Sequence, residues 1–139
     1  MRSTAATLCS PEAGPSSSGS RPARVLVVDD AERVLNFLEI KLRASGYSVQ
    51  RASNGDSAID LVRSFRPDIL VLDVSMPGKD GIQTLREARV FCQAPALLIS
   101  GYDVGYEAFQ GLGRVDFLAK PFNPDELLLR LRRLASLPR

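Results

Sequence analysis

The feature that most constrains the fold of this chain is a short run of aliphatic residues that ends in a carboxylate. Residues 69–72 are Ile, Leu, Val and Leu, and Asp73 follows them directly, before a turn at Pro77 and Gly78. A continuous apolar run of this length between turn residues is typical of a parallel-sheet strand that is buried on both faces. Asp73 is then predicted at the carboxyl end of that strand, where open α/β sheets bind their ligands.

Further strands and amphipathic stretches alternate along the rest of the chain. Strands are predicted at residues 25–28, 47–52, 96–99 and 115–119, with helices between and after them. Three glycines from Tyr102 to Gly113 indicate that the fourth of the five predicted helices is short. This alternation predicts an α/β fold, a doubly wound parallel sheet with helices on both faces.

The N-terminal end of the chain has a different composition. Residues 1–22 are rich in Ser, Pro, Gly and Ala and lack apolar periodicity, so they are predicted to form a disordered tail. Residues 23–137 are predicted to form one folded domain. In a chain of 139 residues, a hydrophobic fraction of 45% supplies enough apolar side chains for one domain with a core.

Composition also excludes several classes of function. No apolar run approaches the ~20 residues that span a bilayer, and a net charge of +2 gives no argument for direct nucleic acid binding. The chain has no histidine, which excludes histidine zinc ligands, Ser-His nucleophiles and a phosphohistidine of its own. Cys9 and Cys92 lie far apart in the sequence, as expected of a reduced, cytoplasmic protein.

Polar residues follow four of the predicted strands. Asp29 and Asp30 follow the first strand, Asp73 the third, Ser100 the fourth and Lys120 the fifth. The carboxyl ends of parallel strands meet at one edge, so the three carboxylates are predicted to lie together and repel one another. A hard divalent cation relieves that repulsion, and oxygen ligands without His or Cys favour Mg²⁺. A nearby lysine and hydroxyl complete the groups that phosphoryl transfer to a carboxylate needs.

Each of these residues alone has a simpler interpretation. Adjacent acids after a strand often form the first turn of the next helix, where the helix dipole favours them. A single Asp at a strand end often forms a turn, and Ser100-Gly101 alone is typical of an ordinary loop. The prediction of a phosphoryl-transfer site therefore depends on the combination, since the fold brings these residues to one edge.

In these motifs the chain resembles the receiver domain of two-component response regulators, of the single-domain chemotaxis-regulator type. The resemblance extends from Arg24 to about Ser136, and it implies a flavodoxin-like (βα)5 fold with a parallel sheet of order 2-1-3-4-5. The residues that carry it are Val25–Asp30, Leu72–Gly78, Asp80, Gly81, Ser100 and Lys120–Phe122.

The resemblance implies a role for each acidic residue at the strand ends. Asp73 would accept a phosphoryl group from the phosphohistidine of a sensor histidine kinase or a histidine phosphotransfer protein. Mg²⁺ would be held by Asp29, Asp30, Asp73 and the backbone carbonyl of Ser75. The protein is then expected to be a phosphoacceptor that assists its own phosphorylation and dephosphorylation, not an enzyme.

The resemblance also implies a conformational switch. Lys120, joined to Pro121 by a cis bond, would pair with the phosphoryl group, and Ser100 would move to hydrogen-bond it. Phe117 matches the aromatic residue that turns inward on activation, changing a partner-binding surface around the fourth helix, fifth strand and fifth helix. Leu129 on the last helix has two interpretations: a single exposed leucine among solvated charges, which is common on protein surfaces, or a candidate for docking a downstream protein or a second copy in a phosphorylation-dependent homodimer.

Three alternatives stay open at this point. They are a receiver-like interaction module that works without phosphate, a receiver segment of a hybrid histidine kinase, and a Mg²⁺-dependent phosphohydrolase with an aspartyl nucleophile. The intact acidic set with Ser100 and Lys120 argues against the first. Phosphohydrolases of the haloacid dehalogenase type place a second Asp two residues after the nucleophile, and that position is Ser75 here.

Overall fold

The computed structural model describes residues 21–101 and 106–136, and its strands and helices alternate as the apolar runs predict. Residues 1–20, most of the predicted tail, lie outside the described residues. The strands are β1 (Arg24–Val28), β2 (Ser48–Ala52), β3 (Ile69–Asp73), β4 (Ala96–Ser100) and β5 (Val115–Ala119). The α-helices are α1 (Glu32–Ala44), α2 (Gly55–Phe65), α3 (Gly81–Ala88) and α4 (Pro124–Ala135).

The strands form one parallel sheet with the order β2-β1-β3-β4-β5. This confirms the predicted doubly wound, flavodoxin-like arrangement. Every residue of β3 and β4 is buried, as predicted for strands covered on both faces. Because β3 lies between β1 and β4, Asp73 at its end is central to the edge formed by the strands' carboxyl ends. Among the described residues, no helix has the length and apolar character needed to cross a membrane.

Two hydrophobic cores flank the sheet, one beneath α1 and α4 and the other beneath α2 and α3. Successive strand residues contribute to opposite cores because side chains alternate along a strand. The first core includes Val25, Val27, Ile69, Val71, Leu97 and Ile99, and the second includes Leu26, Val28, Leu70, Leu72, Ala96 and Leu98.

Local sequence signals set the ends of several helices. The side chain of Asn54 accepts a hydrogen bond from the Ser57 N–H at 2.8 Å, which caps the start of α2. Asn123 caps α4, and Pro124 occupies its first position. Gly46 follows α1 with a φ of 96°, a conformation that glycine adopts readily at the end of a helix.

The fourth helical segment is a short 3-10 helix, η1 (Tyr106–Phe109). Gly111 and Gly113 follow it with φ values of 79° and 83°, which are incompatible with continuation of the helix. The short fourth helix is therefore confirmed. The count of five helices is corrected to four α-helices and one 3-10 helix within the described residues.

Arg89, just after α3, ties the segment before β4 to the segment before β5. Its guanidinium donates hydrogen bonds to the carbonyl oxygens of Ala94 at 2.6 Å, of Cys92 at 3.2 Å, and of Leu112. Burial lowers the pKa of Arg89, but an arginine side chain stays charged in proteins. Arg89 thus supplies donors for carbonyl groups on two neighbouring loops.

We expect Arg89→Met to lower the free energy of unfolding by about 1–3 kcal/mol, because these carbonyl groups lose their donor. Urea denaturation measures the change. Arg86→Met is the matched control, since it removes one exposed hydrogen bond to the carbonyl of Ala108 and should change stability by less than ~0.5 kcal/mol. Equal losses in the two variants would contradict a special role for Arg89.

Candidate functional site

Backbone hydrogen bonds continue past the ends of the strands and fix the residues that carry the carboxylates. Asp29 directly follows β1, and its N–H donates to the carbonyl oxygen of Ala52 on β2 at 3.2 Å. Asp73 ends β3, and the N–H of Val74 donates to the carbonyl oxygen of Ile99 on β4 at 2.8 Å. The structure therefore holds both acidic residues at the same edge of the sheet, as predicted.

Asp29, Asp30 and Asp73 form a cluster in which one carboxylate oxygen from each lies within 4.8 Å of the others. Asp29 and Asp73 are buried, whereas Asp30 is exposed. Burial raises the pKa of Asp29, and the charges of Asp73 and Asp30 add to this effect. The Ala31 N–H, which donates to Asp29 Oδ1 at 2.8 Å, and the charge of Lys120 oppose it. The cluster is thus a concentration of negative charge with limited access to water.

Lys120 brings a positive charge to this cluster from the end of β5. Its Nζ lies 3.1 Å from Asp73 Oδ1. The Lys120 N–H donates to the carbonyl oxygen of Ser100 at 2.7 Å, and the bond to Pro121 is cis, as the resemblance implies. The Lys120 side chain is 33% exposed and that of Asp73 is 3% exposed, so solvent reaches the pair from the lysine side.

Ser100 and Phe117 lie on the opposite face of the sheet from the first core. Ser100 ends β4 and is buried, and Phe117 packs half-buried against the core beneath α2 and α3. The strand register pairs Phe117 with Leu98, which lies two residues before Ser100 and so shares its face. The structure therefore brings the two predicted switch residues onto one face, while neither belongs to the acidic cluster.

The loop between β3 and α3, residues 74–80, runs beside the acidic cluster. Ser75 is exposed, and its N–H donates to Asp73 Oδ1 at 3.3 Å. Asp80 ends the loop, and its side chain accepts a hydrogen bond from the Gln83 N–H at 2.8 Å, which caps α3. This places the backbone N–H of Ser75 next to the carboxylate of Asp73.

Gly81, the first residue of α3, packs directly on the backbone of Asp73. A Cβ at this position would lie 2.3 Å from the Asp73 carbonyl oxygen. The sequence places Gly81 in the motif but assigns it no role. The sequence does contain a signal for this contact. Glycine is a poor helix former, so a glycine at the start of a helix indicates that something other than helix formation requires it.

This cluster has the ligands that Mg²⁺ prefers. All three acidic groups offer hard carboxylate oxygens. Burial and mutual repulsion disfavour their negative charges, and a bound cation would offset that cost. The exposed position of Asp30 leaves one side open to solvent, which suits an ion that retains several waters. Asp29, Asp30 and Asp73 therefore fit a Mg²⁺ site.

We expect Mg²⁺ to stabilise the protein and Asp29→Asn to remove that stabilisation. Mg²⁺ at about 100 times its Kd adds about 2.7 kcal/mol to the free energy of unfolding. The substitution keeps an acceptor for the Ala31 N–H but removes a charge that burial disfavours. In EDTA the variant should therefore unfold at a higher temperature than the original protein. Thermal unfolding in EDTA and in Mg²⁺ measures both effects, and equal Mg²⁺ stabilisation of the two proteins would contradict the site.

Comparison with known proteins gives the same family from a domain model and from a curated relative. The family model described as the response regulator receiver domain matches residues 25–132, a range that includes every site residue named above. Response regulator MprA of Mycolicibacterium vanbaalenii is 44% identical over 116 residues. The match covers 81% of this chain and 50% of MprA, so the chain spans about half the length of this curated relative.

Solved structures share the fold over nearly their whole length. Chemotaxis protein CheY4 of Vibrio cholerae superimposes with a TM-score of 0.75 at 29% identity, covering 81% of this chain and 98% of CheY4. The receiver domain of the hybrid histidine kinase CckA superimposes with a TM-score of 0.70 at 34% identity. That match covers 81% of this chain and 99% of the CckA domain.

Proposed function

Because this chain belongs to the response regulator receiver family, we propose that Asp73 accepts a phosphoryl group from the phosphohistidine of a partner protein. Receiver domains interact with histidine kinases or phosphotransfer proteins, and they generally bind Mg²⁺ at an acidic pocket. In this chain Asp29, Asp30, Asp73 and the backbone carbonyl of Ser75 would hold the ion. The donor histidine must come from another polypeptide or segment, since this chain has no histidine.

The observation that carries this proposal is Lys120 Nζ at 3.1 Å from a carboxylate that also belongs to the acidic cluster. A carboxylate oxygen of Asp73 forms a bond to phosphorus as the bond from phosphorus to the donor imidazole nitrogen breaks. The imidazole takes up a proton, and an acyl phosphate remains on Asp73. Mg²⁺ held by the acidic cluster would supply positive charge to the phosphoryl oxygens. Lys120 then exchanges its contact with the carboxylate for a charge-assisted contact with a phosphoryl oxygen.

The change of charge at Asp73 drives the proposed switch. Phosphorylation replaces the single negative charge of the carboxylate by a larger phosphoryl group that carries about −1.5 to −2, and the Ser100 hydroxyl moves to donate a hydrogen bond to the phosphoryl group. Phe117 fills the space that Ser100 leaves on the same face of the sheet. Arg130 of α4 connects this movement to the surface, because its guanidinium donates at 3.0 Å to both the Phe117 carbonyl and Asp116.

The output surface that we propose comprises η1, β5 and α4, where α4 is the fifth helix of the sequence-based prediction. Leu129 on α4 is 45% exposed, beside the ion pair of Arg130 with Glu126 at 2.9 Å. An exposed leucine next to charged side chains suits a downstream protein or a second copy of this chain. We propose that phosphorylation controls access to this surface.

The protein acts, in this proposal, as a phosphoacceptor that assists its own phosphorylation and dephosphorylation, not as an enzyme on a separate substrate. Similarity to the receiver of a hybrid histidine kinase favours a second setting, in which this receiver is one segment of a kinase. Asp73 has the same chemistry in both settings. Phosphotransfer profiling against purified kinases and phosphotransfer proteins distinguishes them by the donor that reacts fastest.

Incubation with acetyl phosphate, a small phosphoryl donor, tests the proposed function. We expect the chain to take up a phosphoryl group when Mg²⁺ is present and to take up none in excess EDTA. Gel retardation and intact mass measure the uptake. Uptake that is independent of Mg²⁺, or none under any condition, would contradict the proposal.

A further inference from the structure

Lys79, in the loop between β3 and α3, binds acidic groups on both flanking helices. Its Nζ lies 2.9 Å from Asp56 Oδ1 in the first turn of α2 and 2.6 Å from Glu87 Oε1 on α3. The second oxygen of Glu87 accepts a hydrogen bond from the Gln83 side chain at 2.9 Å. The hydrogen bonds of Lys79 raise its own pKa and lower that of Glu87, so both stay charged at neutral pH. The loop is thereby tied to both helices at one point.

The aliphatic stem of Lys79 is also held in place. A Cβ at Gly55, the first residue of α2, would lie 2.8 Å from Lys79 Cδ and 3.0 Å from Lys79 Cβ. The stem therefore packs directly on the start of α2, and the Lys79 side chain is 23% exposed. Ordered stem packing distinguishes Lys79 from a surface lysine whose charge alone contacts an acid.

The loop that Lys79 fixes carries the carbonyl proposed to face Mg²⁺. Within it, Met76 is buried in the core beneath α2 and α3, whereas Ser75, Pro77 and Gly78 are exposed. Gly78 has a φ of 74°, in the left-handed region that favours glycine. Met76 on one side and Lys79 on the other thus hold the exposed turn. A shift of that turn moves the Ser75 carbonyl relative to Asp73.

We propose that Lys79 is a positioning residue that holds the loop of residues 74–80 in the shape needed to bind Mg²⁺, an inference that rests on the proposed function. The ammonium of Lys79 pairs with Asp56 and Glu87, which lie outside the acidic cluster. It acts through the loop, which carries Ser75 and leads from Asp73 to α3. Ligands and groups that orient them together set metal affinity.

Removing Lys79 has two effects on Mg²⁺ affinity, and they have opposite signs. Loss of its positive charge strengthens Mg²⁺ binding, whereas loss of the anchored loop weakens it. Removing this cation leaves Asp56 and Glu87 without their partner, and the added negative potential attracts Mg²⁺. Loss of the anchor weakens Mg²⁺ binding by letting the loop move. A weaker affinity in a variant without the charge therefore reports the position of the loop and not its electrostatics.

Lys79→Met is the direct test, because methionine keeps an unbranched stem over Gly55 and removes the ammonium group. We expect its Kd for Mg²⁺, measured by isothermal titration calorimetry, to rise about three- to tenfold. Lys79→Arg should stay within about twofold of the original protein, because it keeps both ion pairs. Lys41→Met is the charge control, since it removes the same charge from the last turn of α1, and it should leave the Kd unchanged.

Phosphorylation kinetics separate positioning from a purely structural role. With acetyl phosphate as donor, Lys79→Met should need more Mg²⁺ for half-maximal rate and reach the original rate at saturating Mg²⁺. A structural role would change urea stability in EDTA and leave the Kd of the folded protein unchanged. An unchanged or lower Kd in Lys79→Met would overturn the inference. The proposed function fails separately, if the original protein takes up no phosphoryl group.

If Lys79→Met does not fold, the double variant Asp56→Asn, Glu87→Gln is used instead, because it removes both partners of the ammonium and keeps the lysine stem. The expected result is a rise in the Mg²⁺ Kd larger than that of a control that also removes two acidic charges, Glu39→Gln with Asp60→Asn. Glu39 pairs with Arg43 on α1 at 2.9 Å, and Asp60 is exposed on α2. Equal values for this control and the double variant would overturn the inference.

Discussion

Asp73→Asn should abolish phosphoryl uptake from acetyl phosphate in the presence of Mg²⁺. The substitution replaces the nucleophilic carboxylate by an amide of nearly the same shape, so the packing of a residue that is 3% exposed stays intact. An amide oxygen is a poor nucleophile, and the variant also loses the carboxylate charge that pairs with Lys120 Nζ at 3.1 Å. Intact-mass measurement of the protein after incubation with the donor gives the extent of uptake.

Asp80→Asn is the matched control for this prediction. Asp80 lies in the same loop, and its side chain accepts the Gln83 N–H at 2.8 Å to cap α3. Asparagine caps helices about as well as aspartate does, so this variant should fold and take up a phosphoryl group like the original protein. Uptake that survives in Asp73→Asn, or is lost equally in both variants, would contradict the assignment of Asp73.

Gly81→Ala should destabilise the fold and weaken Mg²⁺ binding together. A Cβ at this position would lie 2.3 Å from the carbonyl oxygen of Asp73 and 2.9 Å from its carbonyl carbon. These are backbone atoms, which cannot turn aside as the end of a flexible side chain can. Alanine is the better helix former by about 1 kcal/mol, but the clash outweighs this gain, and we expect a net loss of about 3 kcal/mol.

Gly101→Ala provides the control, because it makes the same change beside Ser100. Within the described part of the chain, and apart from its sequence neighbours, a Cβ at Gly101 would meet no atom within 4 Å, so the stability of this variant should change by less than ~0.5 kcal/mol. Urea denaturation in EDTA measures stability, and calorimetric titration measures the Mg²⁺ Kd. Equal stability of the two alanine variants would show that the approach of α3 to Asp73 is not tight.

The parts of the fold that follow from short-range patterns were predictable from the sequence. Apolar runs such as residues 69–72 identify buried strands, and Asn123 with Pro124 identifies the start of the last helix. The meeting of Asp29, Asp73 and Lys120 follows from one further rule, that parallel strands place their carboxyl ends at the same edge. Once the strands are found, this rule brings the site together.

The remaining features depend on contacts between residues far apart in the sequence. The ion pairs of Lys79 require α2 and α3 to lie side by side. The periodicity of apolar residues does not indicate how close two helices lie. The role of Gly81 depends on how closely α3 approaches β3. Arg89 binds the carbonyl of Leu112, which is 23 residues away. From the sequence alone, these residues are indistinguishable from other charged residues and from other glycines near turns.

Reductive mapping of the modified residue tests the central claim most directly. Acetyl phosphate and Mg²⁺ are added to the full chain, and borohydride then reduces the acyl phosphate to an alcohol before proteolysis and mass spectrometry. We predict that homoserine replaces aspartate at position 73 and at no other position, and that omission of Mg²⁺ prevents the change. Homoserine at Asp29, Asp30 or another carboxylate in place of Asp73 would contradict the account.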